Sequence, residues 1–540
     1  MTATIQPAHE SARPASVWTG WVVCQTVVFL WFAPYVSRYL QDDNRSYFLW
    51  EHRDAAALVG CMAVLAAALT ALGSALRRVL GARADRWLDA LVVLGLVGGL
   101  LTNLPHHWPY RFGYRPDPRG LEMTVAWAAL AAAATFLVVF RRPGIARMAR
   151  QACLIVSPTV VLVGLQLFKP VCYRTAMDPL DEPPTAAALT GSTDAAPSVF
   201  VFMFDMWSYQ RTFADGRVRA EYPNIAALAG ESVVFHDAHA PGHMTSVSIP
   251  RFLFQTTDQP FARQGRVGFE RAGGVVPPES CRSIFQTMSD RGYRTVMIGM
   301  FLPYAQWLGD GVDVCRSYSF YDHGRGLAGR MAVHAVGALN KTTDPLTAAL
   351  NERLELPLRV RYLAGLHRDI ARDIEQVISQ RGVPTFAVFH HPLPHAPFMY
   401  HVDGSLRRPG PEIMDDRRVD GYLAQLACVD RLVGGFVARM KQSGTYDRSL
   451  IVLTSDHTWQ RDPDRTRSGR THWEMTHVPL IIRLPGGPRP ADVTERFETV
   501  GLMRLIEAAL DGRAPAGTAV PLPVNVRGGP QAPAEGGDPA

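Results

Sequence analysis

The stretch Ser198-Val199-Phe200-Val201-Phe202-Met203-Phe204-Asp205 decides the fold. An almost wholly apolar run ends abruptly at a carboxylate. A run this short and this apolar fits a strand buried on both faces, as in a parallel sheet covered by helices. Outward from it, further candidate strands are Val233–Asp237, Thr295–Met300, Thr385–His390, Ser449–Thr454 and Val478–Arg483. Helical segments fall between them at Ser283–Arg291, Val360–Gln380, Arg418–Gln442 and Thr499–Leu510. This alternation predicts a mostly parallel α/β sheet sandwiched by helices. Such sheets gather their chemistry at the carboxyl ends of the strands.

Acidic residues stand where that rule wants them. Asp205 follows the first strand directly, and Asp456 with His457 follows the strand SLIVLT. A carboxylate at a buried strand end needs a partner, and a metal ion is a common one. An ordinary loop aspartate is the competing reading for Asp205; an adjacent Asp-His pair at a second strand end weakens it. Between them lies Gly242-His243-Met244-Thr245-Ser246-Val247-Ser248-Ile249-Pro250. A hydroxyl at a helix N-terminus gains from the dipole and from free amides that also hold anions. Plain N-capping needs one hydroxyl, and this segment has three. Histidines cluster too: His390, His391 and His395 in HHPLPHAPF, and His472 and His477 before the last strand. Pro392 and Pro394 forbid a helix there, which excludes a helical zinc pair from His391 and His395.

The N-terminal part reads differently. Five stretches without Asp, Glu, Lys or Arg are long enough to cross a bilayer: Val17–Ser37, Ala55–Leu76, Ala90–Tyr110, Met123–Phe140 and Gln151–Phe168. The third ends in a polar, His-containing stretch, so its span is shorter than the run. Two short connections carry Arg77, Arg78, Arg83 and Arg86, and Arg141, Arg142, Arg147 and Arg150. The positive-inside rule sets both in the cytoplasm, which puts everything after Phe168 outside. Val17–Ser37 reads as a retained span, because no basic n-region precedes it and no small-residue cleavage site follows. The net charge of +6 belongs largely to these arginines. It reflects topology and not nucleic-acid binding, since no long basic run with interleaved aromatics occurs. The expected map is a five-helix membrane domain over 1–168, a linker over 169–196, a catalytic domain over 197–512 and a disordered Pro/Gly/Ala-rich tail over 513–540. Cys281 and Cys315 would lie in an oxidising compartment, as a disulfide or as two thiols; spacing does not choose.

These strings, in this order, resemble the alkaline phosphatase superfamily and its sulfatase-like branch. VFVFMFDMWS resembles the first strand with its metal-binding acid. YPNIAALAGESVVFHDAHAPGHMTSVSIPRFLFQ resembles the nucleophile segment, and SCRSIFQTMSDRGYRTVMIG the helix and strand that follow. LACVDRLVGGFVARMKQSGTYDRSLIVLTSDHTWQ and THVPLIIRLPG resemble the metal-binding segment and the strand beyond it. The five-helix anchor is similar to that of lipoteichoic acid synthases and lipid A phosphoethanolamine transferases. The resemblance implies that Asp205, Thr245, Asp456 and His457 hold the metal and that Thr245 is the nucleophile. It implies that His395 binds substrate oxyanions; His472 and His477 are two candidates for a second such histidine.

Two departures separate the branches. Sulfatases mature Cys or Ser in Cys/Ser-x-Pro-x-Arg, whereas Ser248-Ile249-Pro250-Arg251-Phe252 places Arg one residue early. Thr245, five residues before Pro250, fits the transferase pattern, and threonine is not converted. The tandem Asp-Asp usual in sulfatases is Asp205-Met206 here, which fits a single-metal site. The expectation is therefore one divalent ion, Mn or Zn, and a phospho-threonine intermediate formed from a lipid phosphodiester in the cell membrane. An envelope glycan or lipid would accept the group. The alternatives are sulfuric ester hydrolysis and an envelope-binding pseudoenzyme.

Overall fold

The computed structural model describes residues 17–40, 51–107, 132–133, 135–136, 141–168, 176–181, 196–263, 266–320, 324, 326–342, 356–464 and 475–513. Four long helices lead the chain: α1 (Val17–Leu40), α2 (His52–Leu80), α3 (Ala82–His107) and α4 (Pro143–Leu167). Among the described residues three helices are long and apolar enough to cross a membrane, over Val17–Ser37, His52–Leu80 and Gly144–Leu167. They match the first, second and fifth expected spans. The third lies in α3 except for residues 108–110, which are outside the described residues. The fourth, Met123–Phe140, is likewise outside them apart from Ala132, Ala133, Thr135 and Phe136. Most of the expected linker and nearly all of the tail are outside them too.

The arginine-rich ends gather at one side of this bundle. Gly81 turns α2 into α3 in the left half of the Ramachandran map's positive-φ region (φ 59°), where glycine is at ease. Arg77 pairs with Asp85 across that turn at 2.9 Å. Arg150 near the start of α4 pairs with Asp89 on α3. The end of α2 and the starts of α3 and α4 therefore lie together.

The second part is built on one mixed sheet, nine-stranded among the described residues. Its strands are β1 (Ser198–Asp205), β2 (Val233–His239), β3 (Arg294–Met300), β4 (Val314–Tyr318), β5 (Thr385–Pro394), β6 (Ser449–Ser455), β7 (His477–Arg483), β8 (Ala491–Val493) and β9 (Phe497–Glu498). The order is β8-β2-β7-β6-β1-β5-β3-β4, with β9 also on β2. All pairs are parallel except the two made by β7. The expected mostly parallel sheet is thus present.

β1 lies near the middle, and its side chains alternate between two cores, as a period of two requires. Phe200, Phe202 and Phe204 point to one face and pack with α9 (Leu356–Ile378) and α10 (Val419–Ser443). Val199, Val201 and Met203 point to the other, toward α6 (Thr245–Phe254), α7 (Ile284–Ser289) and α11 (Leu502–Leu510). The chain reaches these through α5 (Pro223–Ala229), and inserts α8 (Gly326–Thr342) between β4 and α9. Burial on both faces is why β1 and β6 read as apolar runs without alternation.

Cys281 and Cys315 are both free thiols. Cys315 is a buried residue of β4, its Sγ 3.7 Å from the Ser317 hydroxyl. Cys281 is half-buried beyond a short 3-10 turn and faces Arg271. Of the two readings of this pair, the structure has the two thiols.

Candidate metal centre and active site

The carboxyl ends of β1, β6 and β5 are adjacent in the sheet, so whatever follows them meets. β1 ends in Asp205, 1% exposed, and Met206 after it has φ 65°. A non-glycine residue there is strained and persists only where its surroundings hold it. Here the turn aims the Met206 amide at Asp456 Oδ1, at 3.2 Å. Asp456, fully buried, follows β6 and also accepts from the His457 amide through Oδ1 at 2.8 Å.

Thr245 is the first residue of α6 and 5% exposed. Its hydroxyl donates to Asp456 Oδ2 at 2.7 Å and lies 3.2 Å from His457 Nε2. Gly242 makes that approach possible: a Cβ there would sit 2.8 Å from Val247 and 3.1 Å from the Ser248 nitrogen. Ser248 is also buried, but it donates to the Asp456 carbonyl at 2.5 Å and so faces backbone. Ser246 is half-buried. Of the three hydroxyls, Thr245 is the one set against the Asp456 carboxylate.

His457 Nε2 stands 3.6 Å from Asp205 Oδ1 and 3.5 Å from Asp456 Oδ2. Its Nδ1 contacts the Thr458 carbonyl at 2.9 Å. A carbonyl can only accept, so the proton sits on Nδ1 and Nε2 keeps a lone pair. The structure thus brings Asp205, Thr245, Asp456 and His457 together, the four positions singled out in the sequence.

It adds one more. His390, on β5, is buried at 1% exposure, with Nε2 3.7 Å from Asp456 Oδ2. Nδ1 lies 3.2 Å from the Met300 carbonyl and 2.6 Å from the Tyr304 hydroxyl, so by the same reasoning Nε2 carries the lone pair. Asp205, His390 and Asp456 offer ligand atoms within 4.8 Å of one another. Asp205 Oδ1 and His390 Nε2 are buried without a hydrogen-bond partner. Unpaired acceptors of this kind are costly in a protein interior, and a cation between them removes the cost. The mixed carboxylate–imidazole set fits a divalent ion such as Mn or Zn. The sequence had shown His390 within a histidine cluster without giving it a role. The available signal was its position at the end of a strand flanking β1.

The electrostatics agree. Burial, and then the Asp456 charge, push the Asp205 carboxyl well above the usual carboxylate range. Burial also acts to raise Asp456, but positive charge on His457 and His390 when those rings are protonated, together with the hydrogen bonds from Thr245 and Met206, outweighs it and holds that carboxyl low. Two buried carboxylates this close stay ionised together only with added positive charge. Replacing His390 by alanine should weaken binding of a divalent ion about 10–100-fold, read by calorimetry on the metal-free protein. An unchanged affinity would remove His390 from the site.

The substrate-binding candidates are placed unequally. His395 is half-buried past the end of β5, with Nδ1 2.6 Å from the Ala396 carbonyl. Burial lowers its pKa, and His457 and Asp456 lie close enough for their charges to act on it. His477 starts β7 on the same edge of the sheet. Its Nε2 donates to the His236 carbonyl at 2.9 Å, and its ring stacks on Tyr209 at 4.4 Å. It is thus built into a packed histidine–tyrosine group beside the centre. His472 is outside the described residues.

Comparison with solved structures finds Ps i-CgsB in complex with k-i-k-neocarrahexaose at 16% identity and TM-score 0.40, covering 59% of this chain and 72% of that one. It also finds the phosphonate monoester hydrolase of Agrobacterium radiobacter, at 16% identity and TM-score 0.37, with 58% and 74% covered. A third is BT1596, a 2-O GAG sulfatase, at 13% identity and TM-score 0.37, with 58% and 71% covered. A search of curated proteins by sequence returns no match. The family model named Sulfatase matches residues 197–511, more than half of the chain and all five grouped side chains, so this chain belongs to the sulfatase family within the alkaline phosphatase superfamily.

Proposed function

We propose that this protein is a membrane-anchored phosphotransferase that moves a phospho-group from a lipid phosphodiester through Thr245. The observation that carries the reading is the Thr245 hydroxyl, 2.7 Å from Asp456 and 3.2 Å from His457, at the N-terminus of α6. A bound divalent ion, Mn or Zn, would lower the pKa of a coordinated hydroxyl and offset charge on phosphoryl oxygens. Asp205, Asp456, His457, Thr245 and His390 are the residues to hold it.

The chain's own groups account for the rest. The Thr245 hydroxyl already donates to Asp456 Oδ2, so that carboxylate orients the nucleophile and can receive its proton. The Thr245 Oγ–P bond forms as the P–O bond to the donor's leaving group breaks, and that oxygen takes up a proton. An acceptor hydroxyl, or water, then forms a new P–O bond while the Thr245 Oγ–P bond breaks and threonine regains its proton. The amides of the first turn of α6 and the His395 imidazole suit the non-bridging oxygens. A lipid donor is confined to the bilayer, and anchoring the active site beside it raises its effective concentration. An envelope glycan or lipid is the acceptor and the cell membrane the location, with the catalytic domain outside the cytoplasm.

The test is turnover of aryl phosphodiester, aryl phosphomonoester and aryl sulfate by the full chain in detergent, with Mn or Zn added. The phosphodiester should be the fastest substrate, and chelation should stop it. Turnover of aryl sulfate alone would return the protein to sulfuric ester hydrolysis.

A further inference from the structure

Helix α8 lies in the catalytic half of the sequence but packs against the apolar helices at the front of the chain. Ala338 is 1% exposed and shares a core with Val28, Phe32 and Tyr35 of α1 and Leu58 and Met62 of α2; Met331 and Ala335 pack onto the same core. Small residues bring the helices close, as in packed membrane helices. A Cβ on Gly337 would fall 2.6 Å from the Tyr35 ring, and one on Gly60 would fall 4.0 Å from Met331 Sδ. Two polar side chains of α8, Arg330 and His334, face inward as well. His334 is buried, with Nδ1 3.0 Å from the Tyr35 hydroxyl. Arg330 pairs with Asp54, which is fully buried, and reaches Glu51 at 3.4 Å.

The outward side is unlike a protein surface in water. Ala328, Ala332, Val336 and Leu339 recur at spacings of four, four and three, which puts them on one face. Ala328 and Ala332 are exposed, and Leu339 is 48% exposed. From Gly326 to Asn340 the only charged or titratable side chains are Arg330 and His334, and both are turned toward the spans. A solvated helix carries polar residues on its outer face; a helix apolar there is covered by something apolar. The neighbouring surface of α2 is apolar as well, with Val64, Leu69 and Leu72 exposed. The contacts run along α2 from Glu51 to Gly60, so α8 reaches more than two turns, roughly 13 Å, below the start of that helix.

We propose that α8 is a membrane-inserted arm of the catalytic domain, with its inner face on α1 and α2 and its Ala332–Leu339 face against lipid. The proposal rests on reading α1, α2 and α4 as membrane spans, and it extends the proposed function. β4 runs parallel to β3, so its carboxyl end is on the same edge of the sheet as Asp205 and Asp456. Seven residues separate Tyr318 from Gly326, which limits the distance from that edge to α8 to roughly 25 Å. An arm fixed in the bilayer there holds the metal-centre edge facing the membrane, where a lipid phosphodiester lies.

The experiment places p-benzoylphenylalanine at Ala332 or Leu339 in the full chain. The protein is reconstituted in nanodiscs of phosphatidylethanolamine and phosphatidylglycerol, irradiated, and read by mass spectrometry. Val64 on α2 is the lipid-facing control, and Gln442, exposed at the far end of α10, is the aqueous one. Lipid adducts at Ala332 and Leu339 should be comparable to those at Val64 and roughly tenfold or more above those at Gln442. Adducts at Val64 but not at these two positions overturn the arm and leave the spans intact. Crosslinks from Ala332 and Leu339 to another part of this chain or to a second copy overturn it too, and name the true occupant. If Val64 also fails to label lipid, the membrane reading falls and the arm with it.

Discussion

Thr245→Ala should lower turnover by at least about a thousandfold while leaving the fold and most of the bound metal in place. On the proposed reading Thr245 contributes a neutral oxygen to the centre, whereas Asp205 and Asp456 contribute the charge, so loss of the hydroxyl would remove the proposed nucleophile and little of the cation's attraction. The wild-type protein quenched during turnover should yield a phosphorylated peptide spanning His243 to Pro250, modified at Thr245. The same peptide from the variant should be unmodified. The structure sharpens the choice of residue, because the Ser248 hydroxyl donates to the Asp456 carbonyl and is turned from the carboxylates. An adduct on Ser248, or wild-type rates from Thr245→Ala, would end the assignment.

Asp456→Asn should abolish metal binding without harming the metal-free fold. Asn keeps the shape, and its carbonyl oxygen can still accept from the amides of Met206 and His457, as Asp456 Oδ1 does. It also removes the charge that, after burial, most raises Asp205. The metal-free variant should therefore melt at or above the metal-free wild type. The two should part when the ion is added. At a hundredfold excess over the dissociation constant, a ligand specific for the folded state stabilises it by about 2.7 kcal/mol, and the variant should show none of this gain. Elemental analysis gives the second readout. Stoichiometric metal in the variant, together with a wild-type thermal shift, would remove Asp456 from the centre.

Much of this site was legible in the sequence because parallel strands buried on both faces advertise themselves as apolar runs. A polar residue that ends such a run is then conspicuous, and Asp205, Asp456 and His457 were found that way. Thr245 needed the resemblance, since three hydroxyls sit within four residues and the spacing to Pro250 chose one. His390 escaped because it lies inside a histidine-rich stretch, where residue type does not separate a metal-facing ring from its neighbours. His391 shows the difficulty: the next residue along, it points to the opposite face, beside His367, with burial driving its pKa down to about 3. β4 was missed because Val314-Cys315-Arg316-Ser317-Tyr318 carries Arg316, which reaches Asp373 at 2.6 Å and so interrupts the apolar pattern. Helix α8 was missed for another reason. Its partners are some 270–300 residues earlier in the chain, and no local pattern reports a face shaped by distant helices.

That long separation has a consequence for how the protein is made. Asp54 is buried at the start of α2, and its counter-charge, Arg330, is far downstream. While the N-terminal helices are emerging, that carboxylate keeps its hydrogen bond from the Glu51 amide but lacks the Arg330 ion pair, and removing one partner of a buried pair is strongly destabilising. The bundle is therefore finished late, when the segment carrying Arg330 and His334 has been synthesised and folded back onto it. A fragment cut after Phe168 lacks one of its own packing partners, and a catalytic fragment cut before Ser198 carries a helix with nothing to rest on. The boundary between anchor and enzyme that looks so clean along the sequence is not a boundary at which the protein comes apart.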